Sequence, residues 1–148
     1  KNIRKYSNLS IPLLAEFLDI CSDANKTAVL EIKKLNDISQ VINLFQVLDE
    51  YPGLSIIIIS FNMNYLKFIR AISNVPLQFL TSSLDDEIIY ECRVNQLDFS
   101  LDKKIAIQKN IKRLKKEGFK ISVWTVDDPK KAASLQKSKI DFITTDKL

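Results

Sequence analysis

Histidine is absent from all 148 residues. Within this chain, that removes every mechanism built on a His base, a Ser-His or Cys-His pair, or a His metal ligand. Only two glycines occur, and neither a G-x-G-x-x-G turn nor a Walker loop can be found. Nucleotide-binding doubly wound folds are disfavoured on that ground. The two cysteines, Cys21 and Cys92, are far apart and form no C-x-x-C. With no secretory leader in view they read as reduced and buried. No apolar run approaches the roughly 18 residues of a membrane span, and the longest, Ile56 to Ile59, has strand length. No signal or transit segment is visible, so a cytoplasmic or membrane-associated protein is expected. The chain opens on Lys1, not methionine, which points to residues upstream.

What is present fits one soluble domain spanning residues 1–148. Hydrophobic residues make up 46% and charged residues 27%, a globular balance that rules out intrinsic disorder. A chain of this length can bury about two thirds of its unfolded surface. The net charge is a mild +4. Its basic residues concentrate in Lys103, Lys104, Lys109, Lys112, Arg113, Lys115, Lys116 and Lys120. On a helix this reads first as a solvated outer face and second as a patch for an anionic surface. No aromatic residues interleave with it, so nucleic acid is not expected as a partner.

Periodicity alternates between helix and strand along the chain. Strands are predicted near 27–33, 55–61, 77–82, 94–99, 120–126 and 140–145. Lys1 to Leu9 reads as an irregular start. Ser10 is the expected cap of a first helix with Pro12 in its first turn. Asp37 or Ser39, then Asn62 or Asn64, are the expected caps of the next two helices. Leu84 to Cys92 reads as a short helix. Ser100 or Asp102 is expected to cap the basic helix, which Gly118 stops. Asp127 or Asp128, followed by Pro129, opens the last helix. Repeated strand–helix units imply a parallel sheet with right-handed crossovers. Polar residues gather at the C-terminal ends of the strands, where a (β/α) barrel puts its active site. Such a barrel needs eight strands and about 250 residues, and six strands are legible here.

The stretch VLEIKK, Val29 to Lys34, concentrates the question of function. Residues two apart on a strand share a face, so Glu31 and Lys33 point the same way. Burying both charges is costly unless they pair or bind something. The alternative is a strand end where both reach water.

Five segments, IPLLAEFLDIC, VLEIKK, IIISFN, ISVWTVDDPKKAASL and IDFITTDKL, occur in this order and spacing. Together they resemble the glycerophosphodiester phosphodiesterase family, and the resemblance covers nearly the whole chain. The VWTV-(N/D)DP-helix unit, followed about 15 residues later by a strand ending in TTD, is the most specific part. The resemblance implies a TIM-type (β/α)8 barrel, of which this chain supplies strands three to eight, the first two strands being missing. It implies hydrolysis of a glycerophosphodiester to glycerol 3-phosphate and an alcohol, with a divalent cation, Ca²⁺ or Mg²⁺.

In the family, two histidines in H-R-G and H-D motifs act as acid and base, and an E-x-D pair helps hold the metal. All lie upstream of the position matching Ile11, and none is present here. No catalytic residue is therefore expected in this chain. By matched position, Glu31 resembles the third metal carboxylate and Lys33 the base facing the substrate phosphate. Trp124 resembles the aromatic wall beside the glycerol, and Ser60 and Phe61 match a strand-end element at the mouth. Asp127 stands where many members have Asn. Two readings follow: the C-terminal part of an active hydrolase, or an inactive relative kept as a binding or membrane-surface scaffold.

Overall fold

Four successive isoleucines, Ile56 to Ile59, cannot all lie on one face of a strand, so both faces need cover. The computed structural model, which describes residues 10–147, provides it with helices on one side and a curled sheet interior on the other. Helices and strands alternate: α1 (Leu14–Asp23), β1 (Ala28–Glu31), α2 (Gln40–Leu48), β2 (Ile56–Ser60), α3 (Met63–Ile72), β3 (Leu77–Thr81), α4 (Asp86–Val94), β4 (Asp98–Asp102), α5 (Gln108–Lys116), β5 (Ile121–Trp124), α6 (Pro129–Lys137) and β6 (Phe142–Ile143). All five strand pairings are parallel, and spatial order follows chain order from β1 to β6. The result is a partial TIM-type barrel of six β/α units. Among the described residues the outer edges of β1 and β6 pair with no strand.

The register sorts side chains onto two faces. Ala28, Ile58, Leu77, Phe99, Leu101, Ile121 and Val123 point to the helices and are almost wholly buried. They meet Leu18, Leu66, Ile69, Ile89, Cys92, Ile111 and Leu114 from the helices. Phe99 packs edge-on against Phe119, centroids 4.9 Å apart. Both cysteines are free and buried in this layer, as expected. Gln78, Ser100 and Ser122 face the barrel interior instead, and Ser122 Oγ donates to Gln78 Oε1 at 2.7 Å. This polar pair is satisfied internally, which removes most of the penalty for burying it.

Local chemistry sets the helix ends. Asn62 caps α3 by accepting from the Asn64 and Tyr65 N–H groups at 3.0 and 3.3 Å. Asp128 caps α6 through the Lys130 N–H, with Pro129 at the first helical position. Gly118, at φ +89°, ends α5. There the Phe119 N–H returns to the Leu114 carbonyl and the Gly118 N–H to Lys115, a Schellman closure.

Four expectations need correction. α1 is not capped by Ser10: the cap position is Leu13, whose N–H donates to Glu16 Oε2 at 2.6 Å, and Pro12 precedes the helix. Neither Asp37 nor Ser39 caps α2 with its side chain; Asp37 Oδ1 instead accepts from the Ser39 N–H at 2.7 Å. The strand expected at 94–99 spans Asp98–Asp102, because α4 continues to Val94 and left-handed Gln96 (φ 52°) turns the chain before it enters the sheet. Ser100 and Asp102 lie in that strand and do not cap α5, which starts at Gln108. The irregular start expected at Lys1 to Leu9 lies outside the described residues.

Candidate functional site at the barrel mouth

Glu31 ends β1 on its interior face, and Lys33 follows two residues later. The two lie side by side, with Lys33 Nζ 3.9 Å from Glu31 Oε2. Lys33 is 80% exposed and Glu31 about one third exposed, 32%. The Glu31 carboxylate makes no hydrogen bond among the described residues, so its oxygens have room for another partner.

Across the mouth, Trp124 ends β5 and Phe61 follows β2. Their rings meet edge to face, centroids 5.5 Å apart and planes at 83°. The Trp124 indole N–H donates to the Ser100 carbonyl at 3.0 Å, fixing the ring against β4. The Trp124–Thr125 peptide is cis. Glu31, Ile59, Phe61, Leu80, Trp124 and Thr144 frame a hollow of about 240 Å³ at this end. That is small beside the roughly 300–1,000 Å³ of drug-sized sites. It combines one carboxylate, a nearby ammonium and an aromatic wall, the elements of a site for a small, charged, partly apolar molecule.

Ser60 stands apart from this group. It is fully buried on the helix-facing side, where its hydroxyl donates to the Ile32 carbonyl at 2.7 Å and accepts from the Asn62 N–H. It ties the end of β1 to the β2–α3 turn, so it supports the mouth without facing it. Glu31, Phe61 and Trp124 are brought together, Lys33 lies beside Glu31, and Ser60 does not join them.

Asp127 has a defined task. Its Oδ1 accepts from the Asp146 N–H at 2.9 Å and from the Thr145 hydroxyl at 3.0 Å. Those two donors hold its carboxyl below the usual carboxylate range. The loop after β5 is thereby fastened to the segment after β6, with Thr144 directed to the hollow.

Asp102 is the residue that motif reading missed. It lies in register with Trp124 at the mouth end of β4, accepts from the Lys104 N–H at 2.8 Å and stands 3.4 Å from the Ser82 hydroxyl. The alternation in DFSLD carried the signal, since Asp98, Ser100 and Asp102 share the face opposite Phe99 and Leu101. Among the described residues no three His, Cys, Asp or Glu side chains gather as a complete metal site. A larger hollow, about 450 Å³, opens at the other end of the strands beside Asp98 and Lys120. There the Lys120 N–H donates to Asp98 Oδ1 at 2.8 Å, while burial pushes the Asp98 carboxyl up.

The model of the glycerophosphoryl diester phosphodiesterase family matches residues 1–148. The chain belongs to that family. A phosphodiesterase from Oleispira antarctica, solved in complex with the product sn-glycerol-3-phosphate, superposes with a TM-score of 0.87 at 18% identity, over 97% of this chain and 60% of that one. A glycerophosphodiester phosphodiesterase from Parabacteroides distasonis superposes at 0.75 with 26% identity, over 91% and 60%. One from Thermotoga maritima superposes at 0.73 with 17% identity, over 97% and 64%. The chain thus spans about three fifths of the Oleispira and Parabacteroides structures. No curated protein matches it.

Proposed function

We infer that the protein carrying this chain hydrolyses glycerophosphodiesters to glycerol 3-phosphate and an alcohol with the help of a divalent cation, Ca²⁺ or Mg²⁺. The observation that carries this reading is the placement of Glu31 beside Lys33 at the mouth of a phosphodiesterase-family barrel. In it, residues 1–148 are the C-terminal portion of the barrel.

The donor set fits a contribution to a hard-cation site, not a whole one. A carboxylate oxygen is the ligand that Ca²⁺ or Mg²⁺ prefers, and Glu31 offers one without a competing hydrogen bond. One carboxylate does not hold such an ion, so further ligands come from outside these residues. When bound, the cation would neutralise and polarise the phosphodiester. Lys33 places a second positive charge toward the phosphate, and the exposed ammonium can swing to follow it. Trp124 and Phe61 form the apolar wall against which the glycerol carbons rest. Acid–base work falls to groups outside this chain, which has no histidine.

A second reading rests on that missing histidine and on the basic surface of α5: an inactive relative serving as a binding scaffold at an anionic membrane face. Among the described residues no helix is long and apolar enough to cross a membrane. The deciding experiment assays glycerophosphocholine hydrolysis by the complete protein across a cation titration and with chelator. Glu31→Ala should raise the half-saturating cation concentration at least about tenfold, and Lys33→Gln should lower kcat/KM about 10²–10³-fold. Unchanged values would remove both residues from the site. No turnover by the unaltered protein with either cation would decide for the scaffold.

A further inference from the structure

The basic surface seen in the sequence along 103–120 is completed by a second element. Lys112, Lys115 and Lys116 of α5 and Lys137 and Lys139 at the end of α6 line one concave hollow of about 620 Å³. Ile111 is its only large apolar residue, and no acidic residue lines it. Asp141 engages Lys115 from the side, Nζ to Oδ2 at 2.5 Å. Among the described residues the other four lysines have no salt-bridge partner. The frame is fixed, because the Ser138 hydroxyl at the end of α6 donates to Gln108 Oε1 on α5 at 2.8 Å.

Five lysines against Asp141 leave an excess of +4, equal to the formal net charge of the whole chain, so the remainder of the molecule is balanced. Lysine near a helix C-terminus is ordinary, since the dipole favours it. That accounts for Lys116 and Lys137 but not for Lys112 in the body of α5 or Lys139 beyond α6. Like charges four residues apart on a helix repel, and Lys112 and Lys116 have that spacing. A multivalent anion relieves that repulsion and gains from every ammonium at once. Lysine binds phosphate as a point charge without a fixed fork, which suits clustered phosphates. Aromatic residues that would stack bases are absent from the hollow.

We propose that the α5–α6 hollow is a binding site for a polyphosphorylated group, either a soluble phosphate ester or a phosphorylated lipid headgroup. The site lies outside the barrel mouth and depends on neither reading of the catalytic function. The test is binding to the complete protein at about 0.15 M salt, where diffuse attraction is screened beyond about 8 Å. Tripolyphosphate is titrated by calorimetry. Phosphatidylcholine vesicles doped with a phosphatidylinositol bisphosphate, or with phosphatidylserine, are tested by co-sedimentation. The triple variant K112Q/K116Q/K139Q should weaken tripolyphosphate binding at least about tenfold. The charge-matched triple K26Q/K130Q/K131Q should change it less than about twofold.

Tripolyphosphate binding alone identifies a soluble ligand. Binding to phosphoinositide vesicles as well identifies a headgroup, and both outcomes support the site. Equal weakening by the two triples would overturn it, as would failure to bind tripolyphosphate while both anionic vesicles bind alike. Acetylation footprinting of the unaltered protein gives an answer without variants. Tripolyphosphate should protect Lys112, Lys116, Lys137 and Lys139 but not Lys130, and uniform protection would overturn the proposal.

Discussion

Replacing Trp124 by Phe separates packing from substrate contact at the mouth. The change keeps an aromatic ring near Phe61 but removes the indole donor that reaches the Ser100 carbonyl at 3.0 Å. Loss of that hydrogen bond is worth about 1 kcal/mol net. The smaller ring gives up contact area of about the same value. A total near 2 kcal/mol lowers Tm by roughly 4–8 °C in a protein of barrel size. In the assay, a wall that touches the glycerol carbons alike in ground and transition states should raise KM several-fold and leave kcat within about twofold.

Differential scanning calorimetry and steady-state kinetics on the complete protein measure both quantities. An unchanged Tm would show that the indole hydrogen bond contributes nothing. A fall in kcat with KM unchanged would refute the wall. A separate double-mutant cycle, Trp124→Leu with Phe61→Leu, removes the ring pair from both sides and should show a coupling of about 0.5–1.5 kcal/mol.

Three further outcomes are expected. Asp127 has a depressed carboxyl pKa in the folded state, so its contribution is present above the ordinary value of 3.8 and is lost as pH falls through the depressed one. The stability gap between the parent and Asp127→Ala, from urea midpoints, should therefore close at acid pH; a gap constant with pH would contradict the bonds to Asp146 and Thr145. Cys92 is fully buried, and burial pushes its thiol up to about 12, so Ellman's reagent should find it unreactive until guanidinium unfolds the protein. A fast native reaction at Cys92 would refute that burial. Residues 1–148 expressed alone should self-associate through the edges of β1 and β6, which pair with no strand among the described residues, and a monomer by light scattering with a cooperative melt would refute it.

Much of the architecture was legible because the strongest signals were local. The isoleucine run of β2, the Asn62 or Asn64 start of α3, the Asp127 or Asp128 start of α6 before Pro129 and Gly118 after α5 each act within a few residues; the structure uses all four signals, with Asn62 and Asp128 as the caps. The strand expected at 94–99 lies later in the chain, at Asp98–Asp102, and its polar interior face hides it in the sequence. Asp98, Ser100 and Asp102 look like turn and cap residues until the barrel interior is there to receive them. Ser60 illustrates the converse. A serine at a strand end reads as mouth-lining, but period-two alternation gives Phe61 the interior face and leaves Ser60 on the other. The hollow on α5 needed tertiary structure, since Lys137 and Lys139 join Lys112 only when α6 folds back beside α5.

Glu31 and Lys33 also connect the site to the unfinished sheet. As they stand, an ammonium 80% exposed and 3.9 Å from a partly exposed carboxylate forms a weak pair, worth about 1 kcal/mol or less in water. Both sit on or just after β1, an edge strand of the described sheet. Whatever pairs with that edge must take the carboxylate further from water, and a buried carboxylate without a cationic partner is costly. On the proposed function, a cation bound to Glu31 and a phosphate beside Lys33 remove that penalty. Barrel closure and cation binding are then thermodynamically linked, each favouring the other by the same free energy. The charges that are nearly inert on an open edge become the stabilising contacts of a closed, loaded mouth. The same cation that would assist hydrolysis should therefore raise the melting temperature of the complete protein, and Glu31→Ala should remove most of that increase while raising the cation-free melt, because the unpartnered carboxylate is gone.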